Sequence, residues 1–438
     1  MVALIPAAAI VVSNMIGTGI FTTTGLMIAQ GASGGDILLG WLIGGIIALC
    51  GALCYGELGA NLPGSGGEYH YLSRLLHPAL GFMAGWVSLI VGFAAPIAAA
   101  AMAMQIYLGR LIPGWPMRTM AVAVIVGLAV LHAYDVRLGS KVQTALIGVK
   151  VLLMLAFIFS GLLGGVGSSP TNLTQLSTSV SLSPSFAVSL IFISFAYSGW
   201  NAAAYIGAEL QRPERTLPWS LLLGTVTVTA LYLLLNLAYL SALPLAQLSG
   251  VEDVAHVVGS HLWGTRGGQI VSLLIAFSLI TPVSAMTMIG PRVAEAMARD
   301  GFLPRRFAKL SRRNVPAWAV GFQAVLAALF ALSSSFGPLM IYIGFTLSLF
   351  AALTVFSLFR LRKQSDIRRI CFGYPLTPII FIGFALWSTV WSIQSQPVAT
   401  LAGLGTLLLG CLAYLAQRKH KLSPKQSVAT ASPQQDQA

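Results

Sequence analysis

Two short runs in this chain set glycine beside polar residues inside long apolar stretches: Gly17-Thr18-Gly19 and Ser198-Gly199-Trp200-Asn201. Each is preceded and followed by further apolar residues, so neither run marks a helix ending in a loop. They are read as places where a membrane helix unwinds, since glycine tolerates backbone that other residues avoid and a break frees peptide groups the helix would pair. Unwinding around Gly17, Thr18 and Gly19 leaves N–H groups at the positive end of the following half-helix, which suits a carboxylate. Carbonyls near the breaks, at Asn14 and Met15 and at Phe195, Ala196 and Ser198, suit an ammonium group. Together they describe the zwitterion of an α-amino acid. The competing reading, glycines that only let helices pack closely, is preferred for Gly44-Gly45.

The elements that must hold these runs are membrane helices. Of the residues, 56% are hydrophobic and 8% charged, where an ordinary soluble domain carries roughly 25% charge. Apolar segments near the ~20 residues that a span needs recur about twelve times between residues 2 and 417. A net charge of +13 raises the question of nucleic acid, but one orientation disposes of it. With the N-terminus cytoplasmic, every Lys and Arg falls on the cytoplasmic side except Arg110, Arg118, Arg266 and Lys150, the bias expected of an inner-membrane protein with both termini inside. No nucleic-acid partner is expected. The first 29 residues lack a basic leader and read as the first span rather than a signal peptide. Cys50, Cys54, Cys371 and Cys411 offer no extracellular pair, and no disulfide is expected.

The two breaks lie in the first and sixth spans. A separation of five spans, an odd number, relates the halves as inverted repeats. Residues 1–165 are expected to hold spans one to five, 184–361 spans six to ten, and 374–417 spans eleven and twelve. The polar tail, 418–438, is expected to be disordered.

Ionisable residues inside a bilayer are usually functional, and this chain has few. Glu57, Glu209 and Glu295 fall at the cytoplasmic ends of spans. Without a midplane carboxylate a cationic substrate is disfavoured, and without an extra cation an acidic one is too, which leaves neutral substrates. The exception is Lys150, about 14 Å along the helix from Lys141, near the middle of a core roughly 30 Å thick. None of the six histidines has metal-ligand spacing within a span, and no convergent catalytic set is present, so no enzyme activity, metal or cofactor is expected. Glu57, Glu68, Arg212 and Arg215 read either as a cytoplasmic gate or as solvated loop charges.

NMIGTGIF (14–21), YGELGANLPGSGGEYHYL (55–72), FAYSGWNAAAYIGAEL (195–210) with the following QRPERTLP, and PRVAEAMARDGFLP (291–304) resemble the amino acid, polyamine and organocation transporter superfamily. The likeness is strongest to its L-type branch, which includes bacterial serine/threonine exchangers, and runs from about residue 10 to 380. It implies an all-α membrane protein of the LeuT type, with twelve helices, a five-plus-five inverted repeat and a substrate site between the broken first and sixth helices. It implies that Phe195 closes over substrate, and that Ser198, Gly199, Trp200 and Asn201 shape a side-chain pocket. Lys150, reached through Val142-Gln143-Thr144, matches a lysine standing where sodium binds in sodium-coupled relatives. It is expected either to exchange a proton or to act as a charged strut. Ser278, Thr281, Ser284 and Thr287 of span eight would line a sodium site if Lys150 were absent. The expected activity is exchange of small to medium neutral L-amino acids, with proton-coupled symport or amino acid sensing as alternatives. No cysteine stands at 110–117 to tie on a heavy-chain subunit, so none is expected. Met1 begins almost at the first span, whereas relatives usually carry a cytoplasmic segment before it.

Overall fold

The computed structural model describes residues 2–112, 114, 116–134, 136–164, 184–311 and 315–422. Most of the expected loop at 164–183 and the tail beyond 422 lie outside the described residues. What is described is helical, with two isolated backbone bridges in place of strands. Among the described residues, eight helices are long and apolar enough to cross a membrane, and four shorter apolar ones stand where spans four, five, six and nine were expected. The protein is therefore a multi-pass membrane protein. The last helix runs to Leu422, past the expected start of the tail at 418.

The first span is two helices, α1 (Leu4–Met15) and α2 (Gly19–Ala29), with non-helical backbone at Ile16 between them. Span two is α3 (Gly34–Asn61), opened by a capping box in which Ser33 and Asp36 each bond the other's backbone N–H. A short helix, α4 (Glu68–Leu75), connects it to span three. That span joins α5 (Pro78–Val87) to α6 (Ala95–Gly109) through one wide turn, Ser88–Ala94. Helices α7 (Met117–Tyr134) and α8 (Val136–Gly164) follow. Span six opens with α9 (Pro184–Ala196), then passes through turns to short 3-10 segments at Ala202–Tyr205 and Gly207–Glu209. Span seven is α10 (Pro213–Ala242), with proline at its first turn where no N–H partner is needed.

Helix α11 (Leu245–Leu248) leads to α12 (Val254–Ser278), which kinks at Gly264 where φ is 72°. The expected span eight, 266–298, is thus the part of α12 after the kink together with α13 (Ile280–Arg299). The remaining helices are α14 (Ala317–Ser333), α15 (Phe336–Leu361), α16 (Leu376–Ser395) and α17 (Pro397–Leu422).

Small residues set how closely the central helices approach. A Cβ on Gly44 would stand 2.4 Å from the Ile193 side chain, and one on Gly45 would stand 2.4 Å from Thr229. These are packing glycines between α3, α9 and α10. Polar side chains in this apolar interior bond one another or the backbone, as a medium without water requires. Tyr197 donates to the Trp41 carbonyl at 2.9 Å, and Thr24 donates to Asn236 Oδ1 at 2.5 Å.

The face that carries the N-terminus is fastened by charges. Glu57, fully buried at the end of α3, accepts both arms of Arg362 at 2.6 and 2.7 Å and the N–H groups of Ile370 and Cys371 at 2.7 Å each. On the same face Val2 pairs with the backbone of Glu209 and Gln211. Arg292 reaches Glu209 and Glu295 at 3.3 and 3.0 Å. Removing one member of a buried ion pair strands the other, at a cost of about 3–5 kcal/mol. Arg362→Ala is accordingly expected to lower the thermal midpoint of the detergent-solubilised protein markedly. Adding Glu57→Gln should recover part of the loss, and the two midpoints check both statements.

Candidate substrate site

The two breaks meet. Gly19, the first residue of α2, lies so close to the end of α9 that a Cβ would fall 2.5 Å from Ala196 Cα. Gly199 has φ of 95°, which glycine alone adopts freely, and a Cβ there would stand 2.9 Å from the backbone carbon of Asn14. Each glycine therefore lets one broken helix lie against the backbone of the other.

The freed peptide groups are apportioned between protein and cavity. Gly17 N–H turns back to the Met15 carbonyl at 2.8 Å, and Phe21 N–H to that of Thr18 at 3.0 Å. Among the described residues, the N–H groups of Thr18 and Gly19 take no protein acceptor and open α2 at its positive end. The Ile16 carbonyl accepts from Lys150 Nζ at 2.5 Å. The Met15 and Ala196 carbonyls both accept from the Tyr232 hydroxyl, at 2.6 and 3.1 Å. Because each carbonyl has two lone pairs, those of Met15 and Ala196 keep acceptor capacity. The Phe195 carbonyl takes the Ser198 N–H at 2.9 Å.

A small cavity lies over this junction. It is lined by Asn14, Met15, Gly17, Thr18, Gly19, Phe195, Ala196 and Ser198, with Pro96, Ala100, Pro282 and Met286 closing it. All eight residues singled out in the sequence for carboxylate and amino-group recognition thus border one space, and none of the four closing residues is charged. A larger cavity adjoins it through the shared Asn14, Ser198 and Met286, and is lined by Gly199, Trp200 and Asn201 together with Phe93, Tyr205, Leu347 and Phe384. Phe195 is buried at the smaller cavity. Lys150 is fully buried behind the first break and lines neither cavity.

Two expectations about polar groups change. Glu57 and Glu68 do not meet Arg212 and Arg215: Glu57 bonds Arg362, and Arg212 caps α10 in a left-handed conformation. Glu68 is no solvated loop charge. It is buried, borders the larger cavity and accepts from Tyr55 Oη at 2.7 Å and Asn201 Nδ2 at 3.2 Å. Of the span-eight hydroxyls, Ser278, Thr281 and Thr287 donate to carbonyls of their own turn and Ser284 pairs with His132, which leaves the oxygen lone pairs of the first three free to accept.

Tyr232 was missed, because nothing in its type or spacing separates it from the other tyrosines of this chain. The signal for Glu68 was present: an acid in Gly-Gly-Glu-Tyr-His-Tyr with aromatic neighbours and no lysine or arginine within one helical turn.

Two broken helices crossing at their unwound segments beneath a cavity of backbone groups define a membrane carrier for a small zwitterion. The chain belongs to the amino acid permease family, whose model matches residues 3–408. It is 30% identical over 441 residues to the serine/threonine exchanger SteT of Bacillus subtilis, covering 96% of this chain and 98% of that protein. It is also 30% identical to the mouse b(0,+)-type amino acid transporter 1 over 410 residues, covering 90% and 83% of the two chains. The mouse large neutral amino acids transporter small subunit 2 is 30% identical over 430 residues, covering 94% and 80%.

Two substitutions test the junction. Tyr232→Phe removes one donor from two carbonyls, a loss of about 1–3 kcal/mol for a buried unsatisfied group. It is expected to weaken amino acid binding by roughly tenfold or more, measured by isothermal titration on the purified protein. Gly199→Ala forces both an unfavourable φ and a clash with Asn14, and should abolish binding. The same change at Gly321, where a Cβ meets nothing, should have no effect.

Proposed function

We propose that this protein exchanges small to medium neutral L-amino acids across the cell (inner) membrane by alternating access. The observation that carries the reading is the junction itself, where unpaired N–H groups of Thr18 and Gly19 and the carbonyls of Met15 and Ala196 border one small cavity. The first suit the substrate carboxylate and the second its ammonium group, while Ser198, Gly199, Trp200 and Asn201 receive its side chain and Phe195 closes over it. The names of the relatives support the same reading, since one is a serine/threonine exchanger and another a transporter of large neutral amino acids.

The two broken helices belong to inverted repeats, residues 1–165 and 184–361, that rock about the junction. The N- and C-termini face the cytoplasm, which puts the Glu57–Arg362 pair and the other charged contacts on the basic side. Lys150 serves as a strut: its Nζ occupies the Ile16 carbonyl and holds the first break open where other carriers use a metal ion. The chain works without a heavy-chain subunit, as its lack of cysteine at 110–117 suggests.

Proteoliposomes containing the purified chain should take up labelled alanine, serine or threonine many times faster when unlabelled amino acid is inside. Lys150→Ala should abolish this exchange. Uptake that ignores internal substrate but follows an imposed proton gradient would replace exchange with symport.

A further inference from the structure

The carboxyl of Glu68 has no role in the recognition just described, yet it occupies a singular position. It lies on α4, between spans two and three, and is 2% exposed. Its Oε1 accepts from Tyr55 of α3 and from Asn201 of the second break, so one side chain links three elements: the end of span two, the connecting helix α4 and the unwound segment of span six. Its Oε2 is buried with no hydrogen-bond partner. The groups that face it are Tyr55 from α3 and Tyr205 and Asn201 from the span-six segment. None of these carries charge near neutral pH, and among the described residues no lysine, arginine or histidine forms an ion pair with Glu68. The contrast with Glu57 is instructive: 11 residues earlier in the chain, an equally buried acid is held by an arginine and two N–H groups.

A buried carboxylate without a counter-ion is costly, and the inexpensive form is the neutral acid. We propose that Glu68 is a proton-binding site of the carrier, holding a proton while the cavity is shut on the α4 side and releasing it when that side opens. The inference rests on the alternating-access reading above. With Oε1 accepting two hydrogen bonds, the proton sits on the unpartnered Oε2. Opening the face must separate α4 from Asn201, which admits water to the carboxyl and makes its ionised form stable.

Burial pushes the Glu68 carboxyl up to about 7, with the bonds from Tyr55 and Asn201 opposing the shift. In the opened, hydrated state it returns toward the ordinary carboxylate range of about 4.3. A group that binds its proton more tightly when shut stabilises the shut state at low pH, and that stabilisation is lost as pH rises through the higher value. Opening, and any exchange limited by it, therefore becomes faster from pH 5.5 to 8.5 with a midpoint near 7.

Two readouts on the full chain test this. Infrared pH-difference spectra of the reconstituted protein should show the C=O stretch of a protonated carboxylic acid disappearing with a midpoint near 7, and Glu68→Gln should remove that band. Exchange of labelled alanine at equal pH on both sides should rise on the order of tenfold across this range. Glu68→Gln, which keeps the acceptor for Tyr55 and Asn201 but cannot ionise, should be flat at the slow acid-side rate, and Glu68→Asp should keep a pH dependence. A spectrum with no such band, or one that survives in Glu68→Gln, overturns the proposal even where exchange is robust. So does exchange whose pH profile is the same in Glu68→Gln as in the native protein. A band that titrates near 7 in a protein that exchanges no amino acid would support the proton site and refute the exchanger.

Discussion

Everything in this structure depends on two unwound helix segments lying backbone against backbone. Gly19 meets Ala196 and Gly199 meets Asn14 at distances that leave no room for a Cβ. Close approach is what brings N–H groups from one break and carbonyls from both to the border of a single cavity. It is also expensive, because unwinding inside an apolar interior exposes peptide groups that cost several kcal/mol each unless something bonds them. The arrangement persists because particular side chains meet that need.

Those side chains come from outside the two breaks. Lys150 of α8 takes the Ile16 carbonyl, and Tyr232 of α10 takes Met15 from one break and Ala196 from the other, so a single hydroxyl ties the halves of the site together. Tyr232 also contacts Trp41 and Tyr197 with ring centroids 5.1 and 5.2 Å away, and Asn236 one turn on donates to its carbonyl. The junction is thus supported by aromatic packing on one side and by the Lys150 hydrogen bond on the other. Charges are concentrated elsewhere, at the face bearing the N-terminus, where Glu57 holds Arg362 and Arg292 holds Glu209 across elements. Among the described residues lining the larger cavity, Glu68 is the one acid.

Much of the candidate site was legible in the sequence because its signals are local. A glycine beside polar residues inside an apolar run is unusual enough to mark a break, and both breaks stand where they were read. A lysine deep in a span is conspicuous on the same grounds. What the sequence withheld is long-range pairing. Nothing in α10 announces that Tyr232 reaches two carbonyls separated by about 180 residues of chain. Glu57 and Glu68 look alike as acids in one motif, yet one finds an arginine some 300 residues on and the other finds only neutral donors. Helix boundaries carried a similar difficulty: the kink at Gly264, where φ is 72°, rests on one glycine among the many in these helices.

A structure of the protein bound to a neutral amino acid should find the substrate on backbone groups of both breaks at once. Its carboxylate is expected within hydrogen-bond distance of the Thr18 and Gly19 N–H groups and its ammonium group on the Met15 or Ala196 carbonyl. A substrate seated wholly in the larger cavity, with both breaks untouched, would contradict this.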